Sequence, residues 1–176
     1  MNTLAHAFEQ ILEALDRFEI PFIVGGSVAS GNFGMPRQTN DIDIVADFRS
    51  AAVRAIAPGR SFNPIHTAAV VKFDFFPVAD TDRFAQSELA RRRFIRCTLP
   101  GMENIEFPEA SPEDVLLAKL LWFRRGGEVS DRQWHDILGI LAVQAGRLDT
   151  AYLRQWADEL QVSGLLARAA ASQPSS

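Results

Sequence analysis

Apolar residues return at helical spacing from the first turn of the chain: Leu4, Phe8, Ile11, Leu12 and Leu15 share one face of a helix predicted from about Thr3 to Phe18. Pro21 ends it, and Phe22-Ile23-Val24 reads as a short buried strand broken by Gly25-Gly26. Ser27 is placed to cap a short helix that reaches about Phe33 and is closed by Gly34-Met35-Pro36. Ile42, Ile44 and Val45 then flank Asp43 in a second strand, Asp41 to Ala46. Ser50 to Ile56 reads as a helix stopped at Pro58-Gly59, and Ala68 to Val78 as a strand. Thr81 to Ala90 is a charged helix, and Phe94 to Leu99 and Asn104 to Phe107 are short strands around a Pro100-Gly101 turn.

The pattern changes at Ser111. A capping serine, Pro112 at the first helical position and the acids Glu113 and Asp114 make a strong helix start, and Gly126-Gly127 makes its stop. Ser130 and Gln133 have capping-box spacing for the next helix, whose apolar face is Trp134, Ile137, Leu138 and Leu141. Asp149 caps a further helix with Tyr152, Leu153, Trp156 and Leu160 inward. The chain is thus an α/β first part, residues 1–110, followed by an all-helical part, residues 111–176, that packs on it or caps it. The tail from Ala171 is expected to fray.

Composition narrows the function classes. The chain has 176 residues, of which 47% are hydrophobic, enough for one packed domain with a helical appendage. A net charge of −4 argues against broad electrostatic binding of nucleic acid. The lone Cys97 cannot form an internal disulfide and reads as a buried thiol. Charged residues among the first apolar ones argue against a signal peptide, and Val115–Phe123, interrupted by Lys119, is too short to span a bilayer. A cytosolic protein is expected.

Asp41 and Asp43 carry the chemistry. Side chains alternate along a strand, so the two carboxylates point the same way, about 6.6 Å apart at Cα. Like charges on a half-buried surface repel, which a proton on one of them or a cation between them relieves; a divalent metal is the usual answer. Asp74 lies in a strand of Val70, Val71, Phe73, Phe75 and Phe76, where a carboxylate needs a metal or a partner, and Lys72 on the same strand face is the alternative partner. Asp47 shares the parity of Asp41 and Asp43 but sits at the strand end, as a loop or cap residue. Gly25-Gly26, between strand and helix, lets backbone N–H groups approach phosphate oxygens at a helix N-terminus, and Ser27 adds a hydroxyl; alone, this is also a plain turn. Lys119 projects from an apolar stripe of Val115, Leu116, Trp122 and Phe123, so its ammonium must snorkel, pair with an acid or meet a ligand. Arg91-Arg92-Arg93 with Arg96 reads as a solvated basic face, or as a guide for an RNA backbone. Trp122, Trp134 and Trp156 read as core, and no Cys/His spacing points to zinc.

Val24-Gly25-Gly26-Ser27, Gly34, Arg37, Thr39 and Asp41-Ile42-Asp43-Ile44 together resemble the signature of the DNA-polymerase-β-like nucleotidyltransferase superfamily, closest to the toxin-type AbiEii group. The likeness runs from about Pro21 to Leu141. It implies an α+β fold: a nucleotidyltransferase-like mixed β-sheet flanked by helices, with a C-terminal helical subdomain. It implies an enzyme that transfers a nucleoside monophosphate from an NTP to an acceptor hydroxyl, on an RNA end, a protein or a small molecule. Gly25, Gly26 and Ser27 would hold the triphosphate, with Arg37 and Thr39 beside them. Asp41 and Asp43 would ligate Mg²⁺ or Mn²⁺, and Asp74 would be the third carboxylate, completing a metal site or taking the hydroxyl proton. Lys119 would face the phosphates, placed by Asp136, and Arg132 would pair with a carboxylate or a phosphate. The toxin-type likeness also implies the toxin of a toxin–antitoxin pair, its activity held off by the antitoxin. The chain is shorter than many toxin members, which fits a minimal member whose cleft a partner or a homodimer completes. A catalytically quiet nucleotide-binding or partner-binding module on the same fold is the alternative.

Overall fold

The computed structural model describes residues 3–37, 39, 41–49, 60–67, 71–97, 103 and 105–173. The helix expected at Ser50 to Ile56, Pro58-Gly59 and the Pro100-Gly101 turn lie outside them, as do residues 68–70, 98, 99 and 104 of the expected strands. The chain divides into two compact units, Met1–Val28 with Gln38–Ala110, and Ala29–Arg37 with Ser111–Ser176.

The first unit is built on a six-stranded mixed sheet. Its strands are β1 (Phe22–Val24), β2 (Asp41–Ala46), β3 (Ile65–His66), β4 (Val71–Pro77), β5 (Arg93–Arg96) and β6 (Glu106–Glu109), in the order β3-β4-β2-β1-β6-β5. β1 is antiparallel to β2 and parallel to β6, and β2 is parallel to β4. Helix α1 (Thr3–Arg17) covers one face, because its apolar stripe places Ala7, Phe8 and Leu15 in a core shared with Val24, Ile42, Ile44, Phe73, Phe75 and Phe107. The Phe8 ring is fully buried, edge-on to Phe107 at 5.3 Å and stacked near Phe73 at 6.4 Å between centroids. Alternation in β2 then does what the sequence pattern implies: Ile42, Ile44 and Ala46 enter the core, and Asp41, Asp43 and Val45 take the other face. Cys97 is buried, as expected. Helix α3 (Arg83–Arg91) starts at Asp82, whose carboxylate accepts the Ala85 N–H at 3.0 Å.

Helix α2 (Gly26–Phe33) contains the boundary between the units. It begins two residues earlier than a Ser27 cap would place it, so Ser27 lies in its first turn and is not its cap. The second unit holds α4 (Pro112–Arg125), α5 (Asp131–Val143), α6 (Thr150–Glu159) and α7 (Ser163–Ala171). The first three start where the sequence places their caps: Ser111, Ser130 and Asp149 each accept a backbone N–H of the following turn. The acids at the start of α4 also join helices. Asp114, fully buried, accepts from Ser111 Oγ at 2.7 Å and Tyr152 Oη at 2.5 Å, and Glu113 accepts the Asp149 N–H at 2.9 Å. α7 has no side-chain cap; it is held by buried Leu165 and Ala169 and by Arg168, whose guanidinium sits 4.3 Å from the Trp134 ring and 3.0 Å from Glu128. Trp156 is core, whereas Trp122 is 46% exposed and carries Arg125 over its ring, a correction to the core assignment.

Within this unit the segment after α2 runs backbone to backbone along α5. A Cβ added to Gly34 would lie 2.9 Å from the Ile140 nitrogen and 3.0 Å from the Gly139 carbonyl carbon, and one on Gly139 would lie 3.2 Å from the Met35 nitrogen. Gln144 Nε2 donates to the Phe33 carbonyl at 3.0 Å. This close approach fixes where Arg37 leaves the segment. Gly34→Ala meets backbone atoms that cannot rotate away, and is expected to cost about 1–3 kcal/mol. A urea midpoint equal to that of the parent protein would disprove the close contact.

Candidate active site

In a parallel pair, residues in register share a face. Asp41 stands opposite Lys72 and Asp43 opposite Asp74, while Ile42 and Phe73 turn to the core. The three carboxylates expected from sequence therefore occupy one face of two adjacent strands, on Cα positions about 5 Å across the strands and about 6.6 Å along β2. Asp41 is exposed, Asp43 half-buried and Asp74 buried. Their oxygens are the hard donors that Mg²⁺ and Mn²⁺ take, so the residue types suit such an ion.

The side chains of this face are engaged with each other. Lys72 Nζ lies 2.7 Å from Asp74 Oδ2, and Asn63 Nδ2 donates to Asp74 Oδ1. Among the described residues no three acid, histidine or cysteine side chains are drawn into one cluster around a point. The Lys72 ammonium is held above its ordinary value, first by its hydrogen bond to Asp74 and then by the charges of Asp74, Asp41 and Asp43, against the opposing effect of desolvation. A raised ammonium stabilises the fold fully below the ordinary lysine range, and the contribution is lost as pH climbs through the raised value. The alternative partner for Asp74 named from sequence is thus present, and Asn63 is a partner that the sequence did not reveal.

Asp43 is locked to the glycine turn. Gly26 has φ +58°, in the left-handed region, and a Cβ there would lie 1.7 Å from Asp43 Oδ2. The carboxylate occupies the space where any other residue would carry a side chain. The Gly25 N–H donates to the Asp43 carbonyl at 3.0 Å, so this amide is committed to the strand. The space beside the Gly25 α-carbon is open, and α2 starts at the next residue with its N–H groups directed outward along the axis. Thr39 holds the other end of the strand: its Oγ1 bonds the Asp41 carbonyl at 3.2 Å and accepts the Asp41 N–H at 3.3 Å. Its hydroxyl positions Asp41. Asp47, past the end of β2, takes Arg49 on both oxygens at 2.7 Å and is a turn residue, as expected.

The helical unit gathers the remaining candidates. Lys119, 7% exposed, donates to Asp136 Oδ2 at 2.7 Å. Arg37 reaches the same carboxylate with Nε on Oδ1 at 3.2 Å and Nη2 on Oδ2 at 3.4 Å. Of the sequence expectations, Asp136 as the acid that places Lys119 matches this geometry. Arg37 as its second partner does not follow from the sequence, because 99 residues separate the two. Two cations share one carboxylate. Arg132, one turn earlier on α5, is exposed.

No protein-family model matches the chain, and no curated protein matches it. Solved structures do. An antigenic nucleotidyltransferase-like protein from Paracoccidioides brasiliensis aligns over 98% of this chain and 94% of its own, at 16% identity and a TM-score of 0.55. ANT(2'')-Ia, in a complex with adenylyl-2''-tobramycin, aligns over 90% of this chain and 97% of its own, at 15% identity and a TM-score of 0.53. These likenesses show the fold: an α+β, nucleotidyltransferase-like mixed sheet flanked by helices.

Two expectations follow from the geometry. Gly26→Ala suffers both a disfavoured φ and a collision with Asp43, and is expected to lose about 2–4 kcal/mol of stability. Adding Asp43→Ala removes the contacts with Oδ2 and Cγ but leaves a Cβ 2.8 Å away and the disfavoured φ, so the double variant should recover part of the loss in a urea-denaturation cycle; full recovery or none would refute this origin. Asp136→Ala strands the buried Lys119 ammonium and is expected to cost about 3–5 kcal/mol, whereas Lys119→Met leaves Asp136 its arginine and costs less. The reverse order of unfolding midpoints would show that the pair is not organised around Asp136.

Proposed function

We propose that this chain is a metal-dependent nucleotidyltransferase, which moves a nucleoside monophosphate from an NTP to an acceptor hydroxyl and releases pyrophosphate. The observation that supports it is the register of β2 on β4, which sets Asp41, Asp43 and Asp74 on one face beside the Gly25-Gly26 turn. Asp41 and Asp43 are the metal ligands in this reading, held in place by Thr39 and by the Gly26 contact. When bound, the divalent ion would neutralise phosphate oxygens and stabilise the entering and leaving oxygens at the α-phosphorus. Asp74 accepts the proton of the attacking hydroxyl or completes the ligand set. The hydroxyl oxygen bonds to the α-phosphorus as the bond to the bridging β-oxygen breaks. The start of α2, with Gly26 and Ser27, offers N–H donors suited to the triphosphate. Within the second unit, Lys119 and Arg37 are cations of the kind that bind phosphate oxygens.

The acceptor class stays broad in this proposal: an RNA end, a protein side chain or a small molecule. ANT(2'')-Ia, with its adenylyl-tobramycin, is a same-fold precedent for the last. The toxin-type resemblance adds a control partner, an antitoxin, or a second copy that completes the site. No helix among the described residues is long and apolar enough to cross a membrane. One observation favours a second reading, a catalytically quiet module: Asp74 is held on both oxygens by Lys72 and Asn63.

Incubation with each α-labelled NTP, Mg²⁺ and a cell extract tests the proposal. Label should pass to an acceptor with release of pyrophosphate, and Asp41→Ala or Asp43→Ala should reduce transfer by about three orders of magnitude or more. Asp74→Asn should slow transfer strongly and spare NTP binding. Full transfer by Asp43→Ala would overturn the assignment. Metal-dependent NTP binding without any labelled product would establish the quiet module instead.

A further inference from the structure

We infer that Lys72 is a resident counter-cation of the carboxylate face, a positioning residue that competes with the divalent ion for Asp74 and thereby sets the affinity of the site. This rests on the metal site of the proposed function. Its own warrant is geometric. Lys72 stands opposite Asp41 in the register and two residues before Asp74 on the same strand, so its ammonium is carried onto the same face as all three acids. Its Nζ occupies Asp74 Oδ2 at 2.7 Å, an oxygen that a metal ligand must offer, and Asn63 occupies Oδ1. Three carboxylates face one ammonium there. The lysine side chain is 38% exposed, on a flexible four-carbon stem, and can swing its ammonium into solvent.

An ammonium and a divalent cation on one carboxylate repel each other, so the ion must displace the lysine before Asp74 can join its ligands. Asp41 and Asp43 form the entry half of the site, and Asp74 is recruited as Lys72 leaves. Loading is thus coupled to a side-chain exchange between two positive charges, and Asn63 keeps Asp74 aimed during it.

The test is titration of Mn²⁺ without nucleotide, followed by electron paramagnetic resonance and calorimetry, on the parent protein, Lys72→Met, Lys72→Gln and Lys72→Arg. Removing the competitor should tighten Mn²⁺ binding about three- to tenfold in both neutral variants, the range set by an exposed ion pair and the repulsion of the ion. Lys72→Arg, which keeps the charge, should stay near the parent. Adding Asp74→Asn to Lys72→Met should abolish the gain. A merely structural lysine gives the opposite sign, because a loosened Asp74 binds the ion less well. Parent protein that binds Mn²⁺ while the neutral variants bind it equally or more weakly overturns the role of Lys72 and leaves the metal site standing. Absence of Mn²⁺ binding in the parent and in both neutral variants overturns the metal site itself, and this inference with it.

Discussion

The parallel register of β2 against β4 puts Asp43 directly across from Asp74, with Asp41 on the same side of the pleat. Everything distinctive in the first unit answers that constraint. Three like charges on one half-buried face cannot persist in a folded chain without countercharge and donors. The chain meets the need locally, with Lys72 two residues before Asp74, Asn63 from the segment before β3, and a glycine whose missing side chain makes room for Asp43. The opposite face of the same two strands is Ile42, Ile44, Phe73 and Phe75, packed under Phe8. A slip of one residue in the register would bury the acids and expose the core, so the packing of the apolar face enforces the convergence of the charged one. Stability and chemistry are thus opposite sides of one strand pair.

Much of this is legible in the sequence, for identifiable reasons. Strand β2 alternates strictly, so the shared side of Asp41 and Asp43 follows from a period of two. Helices α4, α5 and α6 announce themselves with capping residues, and their starts fall where the caps stand. α7 carries no such signal and escaped notice, because packing and the Arg168 contact hold it in place of a cap. β3 is two residues long, too short to show any period. The partner of Asp74 on its own strand was visible as an alternation; Asn63, on an irregular segment eleven residues away, was not. Gly25-Gly26 read as one phosphate-binding pair. The structure divides it: Gly25 closes a strand hydrogen bond, and Gly26 alone must be glycine for conformational and steric reasons.

The second unit solves the reverse electrostatic problem. Its central carboxylate, Asp136, is outnumbered by Lys119 and Arg37. A buried lysine on an apolar stripe is costly unless ionically paired, and Asp136 supplies the pair. The close approach of Gly34 to α5 then delivers Arg37 to the same acid as a second cation.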